Sequence, residues 1–161
     1  MDGKREIMST KNNFYISVRS AQISDIPTLV PLMDQLGYPV LEHELKLRFE
    51  RFTKNNDYGV AVACLENQVV GFVAWSGSSV FVLDKVRFHI ESLVVDEKYR
   101  GYGIGKKLML FVEDIARKFS PAIIDLTSGL RRANDGSHDF YKNLGYHNDG
   151  HMEKLYLRKE V

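Results

Sequence analysis

The residues with the clearest capacity for chemistry lie between Arg100 and Lys106, where glycine occupies every second position. Gly101, Gly103 and Gly105 lose more backbone entropy on folding than other residues would, so a ligand or a tight turn must require bare backbone here. An apolar strand pattern precedes this stretch and a helical pattern follows it. Such a junction directs free backbone N–H groups at one point, where the helix dipole adds about half a positive charge. With Arg100 and Lys106 beside it, the stretch predicts a site for an anion, most naturally a phosphate or a diphosphate.

Two familiar phosphate-binding motifs do not fit this spacing. The P-loop requires a second glycine five residues after the first, but Lys106 occupies that position and Leu108 stands where a Ser or Thr hydroxyl would bind metal. The dinucleotide fingerprint G-x-G-x-x-G fails because the third glycine comes one residue early. The pattern that does fit is R-x-x-G-x-G, which ends at Gly105.

The surrounding elements indicate a mixed α/β domain. Alternating apolar and polar residues predict strands, and apolar residues three to four apart predict helices. Gly37 and Gly145 mark the ends of two of those helices. In chain order we expect a strand at 14–19, helices at 24–37 and 41–55, a β-hairpin around Asn67-Gln68, a strand at 85–95, a helix from Ile104 that includes Phe119, a strand at 122–128, a helix at 136–145 and a closing strand at 153–159.

Composition favours one soluble globular domain, from residue 14 to 161, after a polar and aperiodic tail at 1–13 that we expect to be disordered. The 22 basic and 21 acidic side chains leave a net charge of +1, which provides no general attraction to nucleic acid or to an anionic membrane. No apolar run approaches the ~20 residues that span a bilayer. The single Cys64 cannot close an internal disulfide, so we expect a reducing cytoplasm as the compartment. Cys64 lies in the apolar stretch "VAVACLE", so we expect its side chain to be buried.

Three stretches of the chain occur in an order typical of one enzyme family. They are the strand and its approach to the glycines, "IESLVVDEKYRG", then the R-x-x-G-x-G stretch, and finally "FYKNLGY" at 140–146. Together they resemble the GNAT superfamily of N-acetyltransferases, and the resemblance covers roughly 14–159. It implies a central, mostly antiparallel twisted sheet that splays at the acetyl-CoA site and is flanked by about four helices.

The resemblance implies direct acetyl transfer from acetyl-CoA to an amine. A typical alkylamine has a pKa near ~10, so its proton must be removed before it attacks the thioester. Glu91 matches a glutamate that the family commonly uses as a base, often through water, and His89 on the same strand face is an alternative. Tyr141 matches the family's tyrosine that protonates the leaving thiolate. The alternatives are a solvated Glu91 and a Tyr141 that, like Phe140, packs in the core.

By the same resemblance, the end of the strand pairs with the pantetheine arm as if with a further strand, and the glycine turn holds the pyrophosphate. Where the family often has an asparagine after the strand at 122–128, this chain has Gly129, with Asn134 as a substitute nearby. The implied acetyl-CoA ligands are Leu93, Val94, Val95, Arg100, Gly101, Tyr102, Gly103, Ile104, Gly105 and Lys106. We expect no metal.

The identity of the acceptor stays open. The leading hypothesis is a primary amine of a small molecule, and the alternatives are a protein N-terminus or lysine, or an acyl-CoA sensor without turnover. We expect no nucleic-acid or membrane partner, and a homodimer is compatible with the family. A cationic amine would be attracted by Asp34, Glu42 and Glu44, unless these are only solvated surface charges. A phosphonate or carboxylate on the acceptor would be received by Arg87, Arg131 and Arg132, with the same alternative. His138 is either a surface residue or a contact to substrate or cofactor.

Overall fold

One five-stranded sheet organises the fold. The structure, a computed structural model, describes residues 15–129, 135–148 and 157–161. Neighbouring strands among the first four are antiparallel. The spatial order follows the chain: β1 (Ile16–Ser20), β2 (Tyr58–Leu65), β3 (Gln68–Ser79), β4 (Val86–Val95) and β5 (Ala122–Leu126).

Four α-helices complete the described elements, together with two short 3₁₀ turns at Ile23–Asp25 and Glu97–Tyr99. This confirms the mixed α/β class and the predicted order of elements as far as residue 143. Residues 153–156 of the predicted closing strand lie outside the described residues, and residues 157–161 carry no regular secondary structure. The helices are α1 (Ile26–Leu36), α2 (Glu42–Thr53), α3 (Ile104–Arg117) and α4 (Ser137–Asn143).

Three element boundaries can be compared with the positions that the sequence predicts for them. Gly37 ends α1 in the left-handed conformation with φ of +95°, which is the usual role of a glycine after a helix. The turn of the β2–β3 hairpin lies one residue earlier than predicted. Gln68 already belongs to β3, and Glu66 takes the positive φ of +56°. α3 ends at Arg117, so Phe119 lies beyond the helix and places its ring 5.8 Å from that of Phe88.

The two faces of the sheet are covered by different helices. On one face, Val62, Phe72 and Val94 lie side by side across β2, β3 and β4. They pack with the apolar side of α1 and with Leu45 of α2, and Cys64 is buried among them as predicted. On the other face, Trp75 lies 6.2 Å from Phe111 of α3, measured between ring centroids. The fully buried side chains of α3 include Ile104, Leu108, Met109 and Val112.

A bidentate ion pair joins β1 to the start of α1. The Arg19 guanidinium donates to both carboxylate oxygens of Asp25, at 2.7 and 2.8 Å, and the backbone N–H of Gln22 donates to Oδ2 at 2.7 Å. Asp25 is only 6% exposed. The hydrogen bonds from Arg19 hold the pKa of this carboxyl below its usual range, with a smaller contribution from Gln22.

The fold separates into two parts, the first ending at Ile124 and the second beginning at Asp125. The first contains α1–α3, β1–β4 and most of β5. The second contains the end of β5 and α4. Within the described residues, no helix is long and apolar enough to cross a membrane.

We expect Asp25→Asn to lower the free energy of unfolding at pH 7 by about 1–2 kcal/mol, because a buried charge-assisted pair is lost while Arg19 stays partly hydrated. A carboxyl whose pKa is depressed on folding stabilises the protein above its ordinary pKa near ~3.9, and that contribution is lost as the pH falls through the lower folded-state value. Urea titrations from pH 7 down to pH 3 measure both effects. Asp34→Asn, at an exposed position of α1, is the control and should change neither. Equal stability losses in the two variants would contradict the assignment.

Candidate active site

An irregularity in the β3–β4 ladder sets the position of Glu91. Ala74 pairs with Ser92 and Trp75 pairs with Ile90, so two residues of β3 face three of β4. Glu91 is therefore the extra residue of a β-bulge, a feature that redirects a side chain and is enriched beside active sites. The Glu91 carboxylate is exposed and accepts a hydrogen bond from Ser76 Oγ at 2.5 Å.

His89 lies on the same face of the sheet, as predicted. It pairs across the ladder with Ser76, the residue that contacts Glu91. Arg87 Nη2 lies 3.2 Å from His89 Nδ1. A guanidinium has only donors, so Nδ1 must accept, and a neutral ring then carries its hydrogen on Nε2.

The last residues of β4 lead from Glu91 to the glycine turn. Leu93, Val94 and Val95 pair with Val73, Phe72 and Gly71 of β3. Val94 is buried in the core, while Leu93 and Val95 are half-buried. Only backbone groups of Val94 can therefore reach a ligand, which is the kind of contact predicted for it. The splaying of the sheet at this point stays a prediction.

Hydrogen bonds hold the turn between β4 and the glycines in one shape. Asp96 donates its backbone N–H to the Val70 carbonyl at 2.8 Å, and its carboxylate accepts from the backbone N–H of Lys98 at 3.0 Å. From α1, the Gln35 side-chain carbonyl accepts the backbone N–H of Glu97 at 2.9 Å. The approach to the glycines is thus anchored at both the sheet and a helix.

The glycine turn presents bare backbone at the start of α3. Gly101 and Gly103 have φ of +84° and +77°, and an added Cβ at either position would meet no atom within 4 Å. The first hydrogen bond of α3 runs from the Lys107 N–H to the Gly103 carbonyl, at 3.1 Å. The backbone amides of 104–106 precede it and have no partner within the helix, as at any helix N-terminus. Open space, amides and the helix dipole together suit a diphosphate.

The side chains around the turn divide into those that face solvent and those that do not. Lys106 and Tyr102 are exposed, but Ile104 is buried in the core, so only its backbone is available to a ligand. Arg100 is exposed and donates from Nε to the Val95 carbonyl at 3.1 Å. Lys107 Nζ lies 3.4 Å from the Ile16 carbonyl and is directed toward β1.

In the second part of the fold, Tyr141 lies on α4 and is half-buried. Its ring packs edge-on against those of Phe140 and Tyr146, with centroids 5.1 and 6.2 Å apart. Gly136 and Gly145 bracket this helix with positive φ. His138 is half-buried on the first turn of α4. The predicted residues Arg131, Arg132 and Asn134 lie outside the described residues.

The structure shows three polar side chains whose surroundings were not predicted from the sequence. Ser76 directly follows the apolar run of β3 that ends at Trp75, and this change to a polar residue was the available signal. Gln35 on α1 carried no signal, because its partner at Glu97 is distant in the chain. Ser128 Oγ, directly before Gly129, is buried without a hydrogen-bond partner in the described residues.

Comparison with known proteins identifies the family. Residues 27–146 match the acetyltransferase (GNAT) family, so the chain belongs to it. An uncharacterized N-acetyltransferase of Methanocaldococcus jannaschii is 31% identical over 99 residues, 61% of this chain and only 43% of that protein. Glucosamine 6-phosphate N-acetyltransferase of Arabidopsis thaliana is 31% identical over 105 residues, 60% of this chain and 70% of that protein.

A solved structure confirms the fold. The putative acetyltransferase from Agrobacterium tumefaciens superimposes with a TM-score of 0.77 at 20% identity, covering 89% of this chain and 99% of that one. The family uses acetyl-CoA as its co-substrate. The residues present fit that molecule, because the open glycine turn and the amides of 104–106 form a cradle for its diphosphate.

We expect Gly103→Ala to weaken acetyl-CoA binding at least tenfold, because a methyl group would enter the open space where the diphosphate binds. Gly37→Ala is the matched control, since Gly37 also has a positive φ and open space around its Cβ. Each variant should lose about 1–2 kcal/mol of stability, because alanine is strained in this conformation. Isothermal titration calorimetry with acetyl-CoA then separates the two. A Gly103→Ala protein that binds as tightly as Gly37→Ala would refute the diphosphate assignment.

Proposed function

We propose that this protein transfers the acetyl group of acetyl-CoA to the primary amine of a small molecule. The observation that carries the proposal is the single strand β4, which bears the bulged Glu91 carboxylate and leads, through a turn anchored by hydrogen bonds, to the open glycine cradle. The proton acceptor and the anion site then lie on one continuous stretch of backbone, which runs from β4 to the start of α3. Acetyl transfer to an amine requires that combination.

Two observations support a small molecule as the acceptor. The similarity to glucosamine 6-phosphate N-acetyltransferase supports a small amine-bearing acceptor. The face that carries Glu91 also carries Ser76, His89 and Arg87, a row of polar side chains suited to a hydroxylated or anionic small molecule. A protein N-terminus or lysine is the alternative acceptor. A cytoplasmic location and a homodimer stay predictions from the sequence.

In the proposed mechanism, bound acetyl-CoA supplies a thioester carbonyl that a neutral amine attacks. Glu91 takes the amine proton on a carboxylate oxygen, directly or through a water molecule. The amides of 104–106, with Lys106 and Arg100, hold the diphosphate and so fix the reacting end of the co-substrate. The Tyr141 hydroxyl supplies a proton to the sulfur that leaves, a role that rests on the "FYKNLGY" resemblance.

The first test is the thermal melting of the purified protein with acetyl-CoA, with ATP and NAD as controls. A ligand present at about 100 times its dissociation constant adds about 2.7 kcal/mol, which raises the melting temperature of a domain this size by several degrees. Release of free thiol is then measured with glucosamine 6-phosphate, glucosamine, an aminoglycoside, a polyamine and a peptide with a free N-terminus. We expect acetyl-CoA alone to stabilise and a small amine to be acetylated. Binding without turnover of any acceptor would instead favour an acyl-CoA sensor.

We expect Glu91→Gln to lower kcat about 100-fold and Tyr141→Phe to lower it about tenfold or more, because each removes one proton-transfer group. Neither change should alter acetyl-CoA affinity, which calorimetry measures separately. Tyr146→Phe is the matched control for the hydroxyl, because the family pattern accepts phenylalanine at that position. A wild-type rate in Tyr141→Phe would exclude its role as general acid, and a wild-type rate in Glu91→Gln would exclude Glu91 as the base.

A further inference from the structure

Ser76 holds the proposed base through its hydroxyl. Among the described residues, the only hydrogen bond to the Glu91 carboxylate comes from Ser76 Oγ. A carboxylate can only accept, so the serine must donate, and such charge-assisted bonds are shorter and stronger than neutral ones. We infer that Ser76 is a positioning residue that fixes Glu91 by its Oε1 and leaves Oε2 to take the acceptor's proton. This inference rests on the proposed function.

The need for such a contact follows from the bulge. Glu91 has no residue opposite it in β3, so the ladder does not support its side chain as it supports the neighbours. The side chain is exposed and has three rotatable bonds, whose freedom would otherwise spread the carboxylate over many positions. One strong hydrogen bond removes much of that freedom before the acceptor binds.

Ser76 is well placed to supply it, because its own backbone is held on both sides. It pairs with Tyr58 of β2 and with His89 of β4, so its strand cannot shift without breaking two ladders. A group held by rigid elements orients its partner more accurately than one on a loop. Ser78 is a suitable control residue. It lies two residues further along the same face, opposite Arg87, and it is exposed.

The kinetic test compares Ser76→Ala, Ser76→Thr and Ser78→Ala, using the amine that wild-type protein acetylates. We expect Ser76→Ala to lower kcat about tenfold, the effect of one hydrogen bond to a charged group, with KM for acetyl-CoA unchanged. Ser76→Thr retains the hydroxyl and should recover most of the rate, and Ser78→Ala should match wild type. Failure of Ser76→Thr to recover the rate, or an equal loss in Ser78→Ala, would overturn the inference.

A double-mutant cycle identifies the route of the effect. If Ser76 acts through the carboxylate, Ser76→Ala should cost much less in a Glu91→Gln background than in wild type. Equal losses in both backgrounds would mean that Ser76 acts independently of Glu91 and would overturn the inference.

Crystal structures of the wild type and Ser76→Ala, both without acceptor, test the contact without any activity measurement. We expect one conformer of Glu91 bound to Ser76 in the wild type and several in the variant. An unchanged carboxylate position in Ser76→Ala would refute the positioning role. If no amine is acetylated while the crystals show the expected change, the proposed function fails and the contact stands.

Discussion

The β-bulge at Glu91 decides which side chains of β4 face each side of the sheet, because one extra residue changes the face that every later residue of the strand occupies. Before the bulge, Ile90 lies opposite Trp75 on the α3 side. After it, Val94 lies opposite Phe72 in the core beneath α1 and α2. Four residues along an unbroken strand would share one face. Because of the bulge, β4 contributes side chains to the apolar packing on both faces of the sheet, while the Glu91 carboxylate stays exposed.

The glycine turn continues this organisation into α3. Gly101 and Gly103 occupy positive φ with no neighbour near their missing side chains, so the conformational cost of glycine is not offset by packing. The same geometry leaves the amides of 104–106 available to a ligand, which is the role that the sequence predicts for this turn. Ile104 and Leu108 are buried in the core, which keeps the start of the helix fixed. The turn therefore faces open space at Gly101 and Gly103, while the helix that follows it packs tightly against the core.

Family membership accounts for some features of this protein and leaves others open. Membership of the acetyltransferase (GNAT) family accounts for the sheet, the glycine turn and the co-substrate. It does not specify the acceptor, because a fold can host different activities and a fold comparison does not weigh individual side chains. The Arg87–His89 contact is an example of such a local feature, because it joins two polar side chains on the face of the sheet that carries Glu91.

The order of elements, the glycine turn and the family could be predicted from the sequence, because they follow from hydrophobic periodicity, glycine positions and short motifs that act locally. The sequence also placed Gly37 at the end of α1 and Cys64 in the core. The β-bulge at Glu91, its hydrogen bond from Ser76 and the hydrogen bond between Gln35 and Glu97 emerge only from the three-dimensional structure. These contacts join residues 15 and 62 positions apart. They depend on strand register and helix packing, which no local pattern in the chain records.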